Sequence, residues 1–158
     1  YNTPLVGEKL IFVAAVDGTL YAIDKETGTI GQNGWTATLV QDPLNQHLVS
    51  GPVIDANQRT ILVGSDDNHL YAIDAETGAE KWKFMAGDKI WTTPVIANGL
   101  VYFLSDAGVT RVVRPGKQFE LITENPVNET CYASPAISNG QIFLRSEKHL
   151  FCVGDNRN

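Results

Sequence analysis

Long hydrophobic runs are missing from this sequence of 158 residues. The longest apolar stretch, Leu10 to Val16, is far too short for a membrane-spanning helix, which needs about 20 residues. The sequence also opens with no basic segment that leads into an apolar one, so we expect no signal peptide within it. We therefore predict that the chain does not span a membrane.

Helical periodicity is also missing. No segment repeats its apolar residues at the i, i+3, i+4 and i+7 spacing over a length that would form a helix. Short apolar runs bounded by glycine, asparagine and aspartate occur instead, and these are typical of strands joined by turns. This absence predicts an all-β chain.

Positive charge and cysteine are both scarce. The chain has 12 Lys and Arg against 18 Asp and Glu, a net charge of −6, which argues against nucleic acid or an anionic membrane surface as the main partner. Cys131 and Cys152 match no metal-ligand spacing, and two cysteines are too few for a disulfide scaffold. We expect two small buried apolar side chains, with a bond between them as the alternative.

What the sequence does contain is one strand–turn–strand pattern that recurs four times. Its third strands have a Tyr-Ala-Ile-Asp type of sequence and are predicted at 20–24, 70–74, 110–114 and 150–154. The second strands are predicted at 10–16, 60–65, 100–105 and 141–146, and the proline-led first strands at 4–6, 51–55, 93–98 and 134–139. Final strands are predicted in three units, at 35–39, 81–84 and 119–123. The period is about 40 to 50 residues, and the pairs Asp17-Gly18, Asn98-Gly99 and Asn139-Gly140 predict tight hairpins.

The second strands have continuous rather than alternating apolar residues. A sheet with one wet face would alternate, so these strands must be covered on both faces. Sheets stacked radially like blades achieve this, and a two-sheet sandwich is the alternative. We predict an all-β fold, a β-propeller of four-stranded antiparallel blades in one domain, 1–158. The blades lie at about 4–39, 51–84, 93–123 and 134–154, and the fourth lacks its outer strand.

The segment from Ile73 to Trp82, with the pattern ID-x-ETG-x-x-x-W, resembles the tryptophan-docking motif of pyrroloquinoline-quinone (PQQ)-type propeller repeats. A second, degenerate copy begins at Asp24. The resemblance is strong in units one and two and fades in units three and four. It implies that the Asp and the Thr-Gly turn join the third and fourth strands, while the indole packs against the neighbouring blade. The implied docking residues are Asp24, Thr27, Gly28, Trp35, Asp74, Thr77, Gly78 and Trp82.

The same resemblance raises the question of a quinone enzyme. Dehydrogenases of this kind, as the resemblance implies, hold PQQ over calcium in a ring of eight blades and carry an adjacent Cys-Cys disulfide. Here the two cysteines are far apart in sequence, and no compact acidic cluster resembles a calcium loop. We therefore expect no cofactor and no metal.

No catalytic group emerges from the remaining titratable residues either. His69 and His149 hold equivalent positions in their units, which favours a structural role in the hairpins, and His47 is next to no nucleophile motif. The acidic residues of the second-to-third-strand hairpins are expected to be solvated turn residues: Asp66, Asp67, Asp106 and Glu147. We predict that the chain is not an enzyme.

Two aromatic residues remain as candidates for binding. Trp91 and Tyr132 hold matching places just before proline-led strands, and the first strands of a propeller line its central channel. Packing between blades is one interpretation, and binding at the channel mouth is the other.

The fourth unit ends in polar residues where its outer strand would begin. We expect the C-terminal part of a larger propeller; a ring of two copies and four blades closing alone remain open. The preferred function is a non-catalytic binding or scaffolding propeller that contacts a protein or a small molecule. The alternatives are a fragment of a PQQ-dependent quinoprotein dehydrogenase and a substrate-binding module attached to a hydrolase. The related family includes a lipoprotein of the outer-membrane β-barrel assembly machinery and sensor domains of membrane kinases, which implies a bacterial, periplasmic or secreted protein.

Overall fold

The computed structural model describes residues 2–30, 33–42, 47–57 and 59–154. These residues form strands, turns and loops, and no helix occurs among them. Accordingly, nothing in these four ranges is a helix of the length and apolarity that a membrane span requires.

Fifteen strands in the described ranges form four antiparallel sheets of consecutive strands, which we number blades 1 to 4. Blade 1 contains β1 (Leu5–Val6), β2 (Leu10–Ala14), β3 (Thr19–Asp24) and β4 (Trp35–Thr38). Blade 2 contains β5 (Val53–Ile54), β6 (Thr60–Gly64), β7 (His69–Asp74) and β8 (Glu80–Met85). Blade 3 contains β9 (Val95–Ala97), β10 (Leu100–Leu104), β11 (Val109–Val113) and β12 (Leu121–Pro126). Blade 4 contains β13 (Ala136–Ser138), β14 (Gln141–Arg145) and β15 (Leu150–Val153).

The prediction of an all-β propeller with four-stranded antiparallel blades is confirmed, and up to residue 154 the fourth blade has three strands. The finer domain bounds stay a prediction, and the predicted domain 1–158 includes residues 1 and 155–158, which lie outside the described part. The continuation of the propeller by further blades or by a second copy also stays a prediction.

The hairpin turns follow the glycine and asparagine pattern of the sequence. Asn98 and Gly99 have φ angles of 50° and 73°, and Asn139 and Gly140 have 50° and 76°. Two consecutive positive φ angles are what a tight turn between antiparallel strands requires. The predicted hairpins at these two dipeptides therefore form between the first and second strands of blades 3 and 4.

The blades bury their middle strands between them. All five residues of β6 are buried. In β7, Leu70 packs with residues of blade 3, while Tyr71 packs with residues of blade 1. Because alternate residues of a strand point to opposite faces, one strand supplies the core on both of its sides. This explains the continuous apolar runs.

The structure corrects the predicted range of the outer strand of blade 3. We predicted it at 119–123, but β12 spans Leu121–Pro126, with a register irregularity opposite Val112 and Val113. Phe119 instead packs edge-on against Trp82 and stacks on Phe84, both of blade 2. This contact between blades holds Phe119 outside the sheet.

The two cysteines differ from each other. Cys131 is buried between blades 3 and 4, as expected for a small apolar side chain. Cys152 is exposed on β15, the last described strand of blade 4. Both are free, so the expectation of two buried cysteines is wrong for Cys152, and the alternative of a disulfide between them is wrong.

Candidate functional site

The connections at one end of the blades are joined into a single surface, which we call the loop end. It consists of the second-to-third-strand hairpins, residues 15–18, 65–68, 105–108 and 146–149, and the described parts of the connectors between blades, residues 39–42, 47–52, 86–94 and 127–135. Successive antiparallel strands reverse direction, so these two kinds of connection emerge at the same end. Backbone amides of the hairpins donate to the connectors, for example Asp106 to the carbonyl of Lys89 at 2.9 Å and Glu147 to that of Thr130 at 3.0 Å.

Trp91 and Tyr132 form a stacked pair on the loop end, which we call the aromatic pair. Their ring centroids are 5.4 Å apart and the ring planes differ by 20°. Trp91 is 37% exposed and Tyr132 is 53% exposed. The Nζ of Lys89 lies 5.4 Å from the centroid of the Trp91 ring, a cation–π contact. The structure thus combines the two interpretations: the rings pack across blades 3 and 4, and they still present surface to solvent.

The backbone beneath the aromatic pair is held from both sides. The residues that precede the two rings, Ile90 and Cys131, are fully buried. Two residues beyond each ring, hydroxyl groups bridge the blades. Thr93 Oγ1 accepts from the amide of Gly51 at 3.0 Å, and Ser134 Oγ accepts from the amide of Thr93 at 2.9 Å. The aromatic pair is therefore positioned by a buried anchor on one side and a hydrogen-bonded bridge on the other.

The whole net charge of the chain is carried by the loop end. Eight of the 18 acidic residues and two of the 12 basic residues lie in its hairpins and connectors, which gives this end a net charge of −6. The acidic residues are Asp17, Asp42, Asp66, Asp67, Asp88, Asp106, Glu129 and Glu147, and the basic ones are Lys89 and Lys148. The other ten residues of each sign cancel. A cation that approaches the protein is consequently drawn to the loop end.

Some of these carboxylates are structural, which corrects the expectation that they are solvated turn residues. The Asp66 and Asp67 side chains are only 11% and 9% exposed. Asp66 accepts from the backbone amide of His47, and Asp106 accepts from that of Lys89. These bonds tie each connector to the hairpin of the blade that it enters.

Each histidine is paired with a carboxylate at this end. The Nδ1 atoms of His47 and His69 lie 3.3 Å from Asp66 and 3.4 Å from Asp67, and that of His149 lies 2.7 Å from Glu129. The pKa of Glu129 is lowered from its usual value, first by the hydrogen bond from the Ser146 hydroxyl and then by His149. These pairs agree with a structural role for His69 and His149 and keep Glu129 ionised.

The predicted docking residues lie toward the opposite end of the blades, where the third and fourth strands are joined. The indole of Trp35 donates to the carbonyl of Ala75 at 3.2 Å, and a Cβ added at Gly78 would lie 2.6 Å from the Trp35 ring. The indole of Trp82 donates to the carbonyl of Gly116 at 3.1 Å. Each indole therefore contacts the turn of the following blade, and its contribution to blade spacing stays a prediction.

The two predicted Asp–Thr–Gly turns have the same internal geometry. Asp24 accepts from the backbone amide of Thr27 at 2.8 Å and from its hydroxyl at 3.1 Å. Asp74 accepts from the corresponding groups of Thr77 at 3.0 and 3.1 Å. The glycines that follow, Gly28 and Gly78, have φ angles of 69° and 74°. In each turn the aspartate carboxylate accepts hydrogen bonds that a backbone carbonyl would otherwise accept.

The carboxyl group of Asp24 makes the free energy of unfolding depend on pH. Its pKa is lowered, chiefly by the backbone amide of Thr27 and then by the side chain of Asn33. A carboxyl with a lowered folded-state pKa stabilises the fold above its unfolded pKa, about 3.9, and that contribution is lost as the pH falls through the folded value. Asp24→Asn is therefore expected to be destabilising above about pH 4, with a deficit that shrinks in stronger acid. Urea unfolding over a pH series measures this, and a deficit that stays constant into acid would contradict it.

Two features that the resemblance implies for the quinone enzymes are missing from the described residues. Among them, no three His, Cys, Asp or Glu side chains come together as a metal site. The two cysteines are free and differ in burial, so they do not form the adjacent-cysteine disulfide that the resemblance implies for the quinone enzymes.

Comparison with known proteins identifies the family. A sequence model of the family described as outer membrane protein assembly factor BamB matches residues 29–117, which is more than half of the 158 residues. The chain belongs to this family. The predicted PQQ-type propeller repeats are thereby confirmed, and the stretch shared with the BamB family includes Trp35, Trp82 and Trp91. The same chain has no match among curated proteins.

Solved structures agree with the BamB-family assignment at the level of the fold. The chain superposes on the computationally designed Ika8 protein with a TM-score of 0.73 and 14% identity, covering 96% of this chain and 45% of that one. It superposes on the designed Ika4 protein with a TM-score of 0.74 and 14% identity, covering 96% of this chain and 88% of that one. The chain thus spans less than half the length of Ika8.

Sequence reasoning missed Lys89 and the hydroxyl bridge. Thr93 and Ser134 each directly precede a proline, and this recurrence at one position of the repeat is a signal that marks a shared structural role. The contact of Lys89 with Trp91 had no such signal, because residues two apart do not predictably face each other in a connector.

Proposed function

We propose that the chain is a non-catalytic binding propeller that contacts a protein partner through the aromatic pair at the loop end. The observation that carries the proposal is the exposure of two stacked rings on a rigid base. Exposed aromatic residues are enriched at protein interfaces, because a large ring contributes contact area and loses little conformational freedom. The fixed backbone beneath Trp91 and Tyr132 lowers the ordering cost further.

The family supports the same class of function. The family is that of an outer membrane protein assembly factor, and we propose a bacterial, periplasmic or secreted setting for this chain on that basis. The quinoprotein alternative has less support, since no three His, Cys, Asp or Glu side chains come together among the described residues, and carboxylates are usual calcium ligands.

A random-peptide display selection tests the proposal without assuming the chemistry of the partner. The parent protein is expected to enrich peptides whose binding is lost when Trp91 and Tyr132 are both replaced by alanine. The matched control replaces Leu121 and Ile122, two exposed apolar residues of β12, and is expected to retain binding. Failure to enrich any sequence, or enriched peptides that bind both double variants equally, would refute the aromatic pair as the binding surface.

A further inference from the structure

We infer that the segment bound by the aromatic pair is cationic, an extended stretch of a partner protein that carries arginine or lysine. The inference rests on the proposed function and adds the chemistry of the ligand. Two independent observations carry it: the distribution of charge between the ends of the propeller, and the position of Lys89 on the Trp91 ring.

The charge distribution selects the sign of the partner. The loop end has a net charge of −6, and the rest of the chain is neutral. Exposed charges act over a Debye length of about 8 Å at physiological salt, so a segment that reaches the aromatic pair also meets the surrounding carboxylates. Asp88 lies in the connector of Trp91, and Glu129 lies in that of Tyr132. An acidic segment would be repelled by the same groups.

Lys89 shows that the ring face accepts a cation. Its Nζ lies 5.4 Å from the Trp91 centroid, within the range of about 6 Å for a cation–π contact. The Lys89 backbone is fixed by two bonds with Asp106, one from the Lys89 amide to the carboxylate and one from the Asp106 amide to the Lys89 carbonyl. The ammonium is carried on a flexible side chain, so it can leave the ring when a partner guanidinium replaces it.

An arginine of the partner would make more contacts at the aromatic pair than Lys89 makes. A guanidinium is planar and less strongly hydrated than an ammonium, so it stacks on an aromatic face while its edge donates to carboxylates. The Asp88 side chain is 35% exposed and lies in the same connector as Trp91, with one carboxylate oxygen 4.0 Å from the Nη2 of Arg111. The aromatic pair would hold the plane of the guanidinium, and the acidic loop end would supply acceptors.

Fluorescence anisotropy with three labelled peptides tests the inference: an Arg-Ser repeat, and the same peptide with Gln or with Glu in place of Arg. The Arg peptide is expected to bind at least about tenfold more tightly than the Gln peptide, and the Glu peptide is expected not to bind. Raising the salt concentration should weaken binding of the Arg peptide. Replacing both Trp91 and Tyr132 by alanine should weaken its binding about tenfold.

Lys89→Met distinguishes the effect of freeing the Trp91 ring from the effect of removing one positive charge. It frees the ring face and removes a competing cation, so the Arg peptide should bind about threefold more tightly. The control, Lys117→Met, makes the same charge change at an exposed position in the turn between β11 and β12, away from the loop end, and should leave binding unchanged. Equal tightening by both variants would overturn the inference, since charge alone would then explain binding.

The remaining outcomes distinguish the inference from the proposed function. If the Gln peptide binds as tightly as the Arg peptide and both need the aromatic pair, the proposed function stands and the cationic partner is refuted. If the Arg peptide binds equally well without the aromatic rings, the proposed binding surface itself is refuted. Absence of binding by the Arg peptide refutes the inference, while the display selection still tests the proposed function.

Discussion

Replacing Trp82 by alanine is expected to lower the free energy of unfolding by about 3–5 kcal/mol, the usual range for removing a buried aromatic side chain. Trp82 is 8% exposed, packs edge-on against Phe119 at 5.3 Å and donates to the carbonyl of Gly116. The variant removes apolar contact between blades 2 and 3 and leaves that carbonyl without its indole donor. Urea unfolding followed by circular dichroism measures the loss.

Trp91→Ala is the matched control for Trp82→Ala. The Trp91 ring is partly exposed and lies on the surface of the loop end, so its removal is expected to cost less than about 1 kcal/mol. If Trp82→Ala does not fold, Trp82→Phe keeps a ring against Phe119 and loses the hydrogen bond, with an expected loss of about 1–2 kcal/mol. Equal losses for the alanine variants of Trp82 and Trp91 would refute the docking role.

Gly108→Ala is expected to destabilise the protein by about 3 kcal/mol. Gly108 has a φ angle of 78°, where an L side chain costs about 1–2 kcal/mol. A Cβ there would also lie 2.1 Å from the backbone carbonyl oxygen of Glu129, and relieving such an overlap in packed structure costs about 1–3 kcal/mol more. Because Glu129 belongs to the connector of Tyr132, the variant should also displace the aromatic pair and weaken binding of the Arg peptide.

Gly140→Ala measures the cost of the positive φ angle without a steric overlap. Gly140 has a φ angle of 76°, and a Cβ there would meet no atom within 4 Å, so only the cost of about 1–2 kcal/mol for the positive φ is expected. Thermal and urea unfolding of the two variants measure the difference. Equal destabilisation would show that the approach of the connector to Gly108 does not constrain the loop end.

The two ends of the blades have different physical roles. At the end opposite the loop end, where the third and fourth strands are joined, the indoles of Trp35 and Trp82 contact the next blade, and the two Asp–Thr–Gly turns have the same geometry. At the loop end, hydrogen bonds between connectors and hairpins provide a rigid base, while the exposed side chains differ from blade to blade. A repeat that conserves docking at one end leaves the other end free to carry a binding surface.

Much of the fold follows from local patterns. The continuous apolar residues of β6 require cover on both faces, and the Asn98-Gly99 and Asn139-Gly140 dipeptides form turns with positive φ angles. The start of β12 could not be predicted, because Phe119 is drawn out of the sheet by Trp82 and Phe84 of another blade. That contact depends on tertiary packing, which the alternation of residues along the chain does not encode.

The candidate site was predictable only in part. The matching positions of Trp91 and Tyr132 relative to the proline-led strands indicated related locations, but their stacking depends on the spacing of blades 3 and 4. The concentration of the net charge at the loop end depends on which connections emerge together, and this is known only once the strand order is known. The exposure of Cys152 likewise depends on what covers β15.

The most direct test of the loop end as the binding surface is a titration that follows the indole amides of the three tryptophans by nuclear magnetic resonance. Trp35 and Trp82 donate to carbonyls of neighbouring blades, whereas Trp91 lies in the aromatic pair. On addition of the Arg peptide, the Trp91 signal is expected to shift progressively to saturation while the other two stay in place. Saturation with no shift of the Trp91 signal, or with the largest shift at Trp35 or Trp82, would contradict the account.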